Sequence, residues 1–227
     1  MRSTVPSPPL ARPSASAADE ARANGIRTLF FHHLNPYLLV SREPLTSVAA
    51  LKGRKLRTWG TDMPRLAQAV GMTPVTLGLP EIYESLSRGV VDAAPFSVDL
   101  VVNYKIFEIA KNVSEVTLWI GPSWGVWMAE PVWQKLTPAQ QQVVTEVADE
   151  ARKRDAEVTV AAEKEARAEL AKRGVKFLPF PAEETAKWRA ALPDFFADFV
   201  AAREKDGKGA DARKMIAIWR EVVANVK

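Results

Sequence analysis

Apolar and polar positions change their period along this chain. Ile26 to His32 is a β-branched and aromatic run that reads as a strand after Gly25, which ends a short helix. Pro36 to Ser41 reads as a second strand, and Arg42 to Leu51 as a connection into a turn at Leu51–Lys52–Gly53. Lys55 to Thr58 is a short strand. Asp62 to Val70 then places Met63, Leu66, Ala67 and Val70 at helical spacing. Gly71 to Leu77 is the next strand, and Pro80 to Arg88 is a helix carrying Ile82, Tyr83 and Leu86. Gly89 stops that helix, and Val90, Val91 and Asp92 open another strand. Val116 to Ile120 and Gly125 to Ala129 complete the strand-rich part. Strands alternating with short helices predict an α/β fold with βαβ units.

The second half is helical. Thr137–Pro138–Ala139–Gln140 is a helix start, with Thr137 as cap, Pro138 at the first position and Gln140 closing a capping box. No Pro or Gly interrupts until Gly174, a natural left-handed stop. A helix over that span is about 54 Å long. Val143, Val144, Val147, Ala151, Val158 and Ala162 keep no clean heptad, so a coiled coil does not explain it. Val175 to Phe180 is a strand, and further helices break at Pro193 and at Asp206–Gly207.

Composition narrows the class. The chain has 227 residues, 47% hydrophobic and 26% charged, enough for one large or two small domains with a packed core. The formal net charge is +4 with both signs interspersed, which argues against a nucleic-acid footprint. With no cysteine, disulfides and thiolate metal sites are excluded. No apolar run reaches the roughly 18 residues of a membrane span. The opening MRSTVPSPPLARPSASAAD lacks the apolar centre of a secretory signal, and residues 1–18 are expected to form a flexible leader.

One stretch carries a family pattern. Leu51–Lys52–Gly53 leads into Lys55–Leu56–Arg57; Gly71 is followed by Pro74–Val75; then come Glu81, Tyr83, Leu86 and Gly89–Val90–Val91–Asp92. This order resembles the solute-binding proteins of TRAP (tripartite ATP-independent periplasmic) transporters, the dicarboxylate-binding-protein-like family. The resemblance runs from about Asp19 nearly to the C-terminus and covers about the last two thirds of a family member. It implies a two-lobed periplasmic-binding-protein-like fold, type II-like, with a long helix spanning both lobes and the first lobe incomplete. Residues 19–34 and 121–180 would form the remainder of lobe I with the spanning helix, and 35–120 lobe II. Residues 181–227 would be helices packing behind them. The resemblance further implies an extracytoplasmic, periplasmic protein that closes by a hinge on an organic acid and is then read by TRAP membrane permease subunits. No cofactor, metal or nucleic acid is expected, and no chemistry on the ligand.

The resemblance places Arg57 at a strand end facing the cleft, where its planar fork suits a carboxylate. A second family arginine falls at Tyr37, which points away from sialic acid or a polyanion. A family asparagine falls near Phe96, with Ser97 the nearest polar substitute. Trp59 lies two residues after Arg57, so both leave one face if the strand continues. Trp119 and Trp124 add aromatic walls, and one charged anchor among apolar walls is a common small-molecule recipe. The predicted ligand is a monocarboxylate with an apolar or aromatic body.

Gly121–Pro122–Ser123–Trp124–Gly125 matches the G-x-S-x-G of hydrolases, making Ser123 either a nucleophile or a ligand hydrogen-bonding group. A nucleophile needs a following helix and a later histidine. A strand is predicted after Ser123, and His32 and His33 both precede it, so a small α/β hydrolase is the weaker alternative. A cytoplasmic ligand-sensing domain of the same fold is another. As neighbours on a strand, His32 and His33 face opposite ways and do not share a metal.

Overall fold

The computed structural model describes residues 15–120 and 124–225. Among these described residues there are eight strands: β1 (Ile26–Phe31), β2 (Tyr37–Ser41), β3 (Lys55–Thr58), β4 (Thr73–Thr76), β5 (Ala93–Phe96), β6 (Asn112–Trp119), β7 (Gly125–Ala129) and β8 (Lys176–Pro179). The helices are α1 (Ala15–Ala23), α2 (Val48–Leu51), α3 (Asp62–Gln68), α4 (Ile82–Ser87), α5 (Val98–Asn103), α6 (Glu130–Trp133), α7 (Pro138–Lys172), α8 (Ala182–Ala191), α9 (Phe195–Lys205) and α10 (Gly209–Asn225). Among them, none is long and apolar enough to cross a membrane.

Six strands form one sheet in the order β4-β3-β5-β2-β6-β8. β3 runs parallel to β4 and β5, and β6 parallel to β8, while β2 is antiparallel to both β5 and β6. Five strands therefore point their carboxyl ends at one edge of the sheet, and β2 begins there. Every residue of β2 is buried, as expected for a central strand covered on both faces. Leu38 and Val40 join Ala94, Phe96 and Val113 in a core closed by Ile82, Leu86, Val101 and, from α7, Ala166 and Leu170. Asn112 and Ser114 are buried in β6 because both side chains are satisfied: Asn112 donates to the Arg42 carbonyl at 2.8 Å and Ser114 to that of Leu45 at 2.6 Å.

β1 and β7 form a separate antiparallel ribbon. An ion pair between Arg27 and Glu130 (2.9 Å) joins β1 to α6, with the Arg27 guanidinium over the Trp133 ring. α7 starts with the predicted capping box: the Gln140 N–H donates to Thr137 Oγ1 at 3.3 Å and the Thr137 N–H to Gln140 Oε1 at 2.8 Å. It ends at Gly174, whose φ of +77° only glycine adopts without strain. Its 35 residues span about 52 Å.

Some expectations shift. α1 begins at Ala15, inside the expected leader; residues 1–14 lie outside the described residues. The strand expected to open at Val90 begins at Ala93, because the N–H groups of Val90 and Val91 both donate to the Ser85 carbonyl and finish α4 instead. β6 begins at Asn112 rather than Val116. The strand near 175–180, expected with the first lobe, joins the six-stranded sheet beside β6, where Phe177 packs on the core. α8 belongs with the sheets: Glu184 accepts from the Val48 N–H at 2.7 Å and Trp188 donates to the Leu66 carbonyl. The segment from Leu192 is a distinct unit, an α9–α10 hairpin in which Phe196 meets Trp219 at 5.1 Å and Ala212 and Ile216 are buried.

Candidate functional site

The carboxyl edge of the six-stranded sheet collects several of the residues picked out above. In open α/β sheets, ligands bind outside this edge, because strand ends and following loops leave a crevice there. Arg57 is the third residue of the four-residue strand β3, Phe96 ends β5, Ser97 follows it, Trp119 ends β6, and Tyr37 opens β2. Tyr37 and Trp119 are register partners across β2 and β6.

Arg57 is buried, 7% exposed. Its Nε donates to the Leu77 carbonyl at 3.2 Å. Among the described residues, no carboxylate lies within ion-pair distance of it. Its Cζ sits 4.4 Å from the Trp59 ring centroid, although β3 ends at Thr58. Trp59 stands 6.0 Å from Tyr37 and 5.8 Å, edge-on, from Trp119, and Tyr37 meets Trp119 edge-on at 5.0 Å. Three aromatic rings thus form a mutually packed wall with the guanidinium against one of them.

Burial lowers the Arg57 pKa from its ordinary value, since desolvation disfavours the charged form, and the Tyr37 hydroxyl works in the opposite direction. Arginine nevertheless remains a cation. Burial also raises the Tyr37 pKa, with Asp99 adding to it and Arg57 opposing it. The phenol therefore stays a neutral donor, and its hydroxyl has no hydrogen-bond partner among the described residues. Such a site offers one desolvated positive charge, a phenolic donor and aromatic surface: it suits an anion with an apolar face.

The other expected residues divide. Ser97 is buried at the start of α5, where its hydroxyl makes no capping bond. Phe96 is a correction: it is fully buried in the core, its ring 6.0 Å from Tyr104, because its side chain falls on the same face as Leu38 and Ala94. Trp124 is exposed and its ring partner is His32, 6.4 Å away, rather than the wall around Arg57. Ser123 lies outside the described residues. β7 starts at Gly125, where a nucleophile elbow requires a helix.

Sequence reasoning missed Asn35, Asp99 and Asp155. Asn35 donates to Asp99 at 3.0 Å, and Asp155 pairs with His32 at 2.5 Å, across separations of 64 and 123 residues. No local motif marks contacts so distant in the chain.

Comparison with known proteins fits this geometry. A solute-binding protein of Roseobacter denitrificans is 27% identical over 175 residues, which is 74% of this chain and 51% of that protein. The chain thus spans about half the length of this curated relative. A TRAP periplasmic solute-binding protein from Sulfitobacter, solved with bound β-D-galacturonate, superposes with a TM-score of 0.76 at 18% identity, over 89% of this chain and 67% of that one. Another from Desulfovibrio salexigens, solved with bound orotic acid, gives 0.72 at 20%, over 97% and 74%. At these identities the structures establish the shared two-lobed α/β fold. The family of bacterial extracellular solute-binding proteins, family 7, matches residues 12–202. This chain therefore belongs to family 7 of the bacterial extracellular solute-binding proteins, the group of TRAP periplasmic solute-binding proteins.

Proposed function

We propose that this chain binds an organic acid in the crevice at the carboxyl edge of its six-stranded sheet, with Arg57 holding the carboxylate, as the periplasmic solute-binding component of a TRAP transporter. The observation that carries the reading is a buried guanidinium with no anionic partner among the described residues, set against an aromatic wall. A cation so placed is costly unless something negative joins it. Galacturonate and orotate, bound by the two solved relatives, each carry one carboxyl group, in keeping with a single arginine anchor and Tyr37 at the place of a second. Ring closure of a uronate or the flat face of orotate gives the aromatic wall something to stack on. Binding proceeds by closure of the ribbon-bearing lobe over the sheet edge, and membrane permease subunits read the closed form.

A thermal-shift and titration-calorimetry screen tests this. Monocarboxylates, with β-D-galacturonate and orotate as first probes, should raise the melting temperature and bind one per chain. Citrate, with its extra negative charges, should do neither. Stabilisation by citrate alone, or by none of a broad organic-acid panel, would defeat the proposal.

A further inference from the structure

Among the described residues, three segments stand where the chain passes between the β1–β7 ribbon and the six-stranded sheet. The chain leaves β1 for β2 through residues 32–36, enters β7 from Trp124, and runs along α7, which touches β1 and α5 and buries Ala166 and Leu170 in the sheet's core. Described residues of these three segments are fastened to one another. Asp155, at the midpoint of α7, receives His32 Nδ1 on one oxygen at 2.5 Å and the His33 N–H on the other at 2.7 Å. The His32 N–H donates to the Trp124 carbonyl at 2.7 Å, and the two rings stack at 24°. One helical turn onward, the Thr159 carbonyl accepts from Asn35 Nδ2 at 2.9 Å, and the same amide donates to Asp99 of α5 at 3.0 Å. Asn35 is 3% exposed.

We propose that Asp155 is a positioning residue for ligand binding: its carboxylate pins the outgoing connection to the spanning helix and so fixes the axis about which the two lobes close. This rests on the carboxylate-binding reading above, but the two hydrogen bonds of Asp155 go to His32 and His33, neither of them a residue of the Arg57 site. The physical reason lies in the carboxylate's two oxygens. A single contact would let residues 32–33 pivot on the helix; two contacts from adjacent residues, one to backbone and one to a ring, define an orientation. His32 then transmits that orientation to Trp124, at the entry to β7, through both its backbone N–H and its ring. Rotation is thereby confined to the short stretch of α7 between Asp155 and Thr159, and sliding of the connections is suppressed. Hinges of this kind use a few element-terminal residues to absorb the dihedral change. Loosening the pin lowers the fraction of molecules poised to close, and the apparent dissociation constant rises by that same factor.

The test uses the absence of cysteine from the chain. Spin labels on Val132→Cys in α6 and Val90→Cys after α4, both exposed positions, report the inter-lobe distance distribution by pulsed electron resonance. The parent should give a narrow distribution without ligand. Asp155→Ala should broaden it and weaken galacturonate or orotate binding about tenfold, with the Arg57 site intact. Asp155→Asn should restore most of both, since an amide still accepts from the His33 N–H and donates to His32. Arg57→Met should leave the ligand-free distribution unchanged. A merely structural Asp155 would lower the melting temperature without widening the distribution below it. Should Asp155→Ala fail to fold, His32→Phe keeps the ring against Trp124, removes the Nδ1 contact, and should broaden the distribution partway. Superimposable distributions for parent and both variants overturn the proposal. A broadened distribution with no organic acid bound by the parent upholds the hinge and removes the carboxylate reading instead.

Discussion

Replacing Arg57 with methionine separates a binding arginine from a structural one. In the free protein the change removes the hydrogen bond from Nε to the Leu77 carbonyl, worth about 1.5–3 kcal/mol for a charged donor. It also removes the cation–π contact with Trp59, worth about 0.5–2 kcal/mol. Against these losses stands the relief of a buried charge that has no anionic partner among the described residues; the desolvation penalty of such an ion is several kcal/mol. Methionine also fills much of the aliphatic stem's volume and sets its sulfur against the indole. The terms nearly cancel. The free variant should therefore melt within a few degrees of the parent, at about 2–4 °C per kcal/mol for a chain of this size.

Binding should respond very differently. With the cleft closed, the ligand carboxylate should lose the guanidinium proposed to hold it, at roughly 3–5 kcal/mol. That is two to four powers of ten in affinity, at about 1.4 kcal/mol per tenfold. Arg57→Lys should recover only part, because an ammonium does not reproduce the planar fork. Arg54, two residues before a buried strand position, and Arg65, in α3 beside Asp62, serve as controls whose alanine variants should bind normally. Calorimetry and thermal melts on the four variants decide the matter. A fall of 10 °C or more in the free Arg57→Met protein with affinity preserved, or equal losses at all three arginines, would refute the reasoning.

Further expectations concern the scaffold. Leu170 is fully buried where α7 meets the sheet's core, so Leu170→Ala should cost about 2–5 kcal/mol and lower the melting temperature by on the order of 10 °C; an unchanged melt would mean that α7 is not docked there. Glu184 has its pKa lowered, first by the Lys187 ammonium and then by the Val48 N–H, so its contribution is present above the ordinary glutamate value of about 4.3 and fades as pH falls through the lower folded value. Glu184→Gln should accordingly melt below the parent at pH 7, and the gap should narrow as the pH is lowered below the ordinary glutamate range, as read by paired thermal melts. The two-stranded β1–β7 ribbon should exchange its amides well before β2, β5 and β6, since isolated two-stranded sheets are marginal; equal protection in a hydrogen-exchange experiment would contradict this.

What the sequence disclosed follows the range of the interactions involved. Arg57 and Trp59 were legible because a strand end and a two-residue spacing are local, and the structure brings the guanidinium onto that indole. The capping box of α7 was legible for the same reason: both partners lie within one turn. Phe96 was misplaced because the choice between core and crevice depends on which face of β5 meets Leu38, a partner far along the chain. The start of β6 was hidden by Asn112 and Ser114, polar residues that are buried only because carbonyls near residues 42–45 receive them. The knot around Asp155 was least visible of all. A lone aspartate in a charged helix reads as a solvated face, and only folding brings His32, His33 and Trp124 to it. The contrast bears on function. On the proposed reading the ligand's anchor sits at a strand end that local patterning marks, whereas the proposed hinge residues join segments far apart in the chain. In a protein that closes on its ligand in the proposed way, the anchor would be readable from the sequence before the hinge.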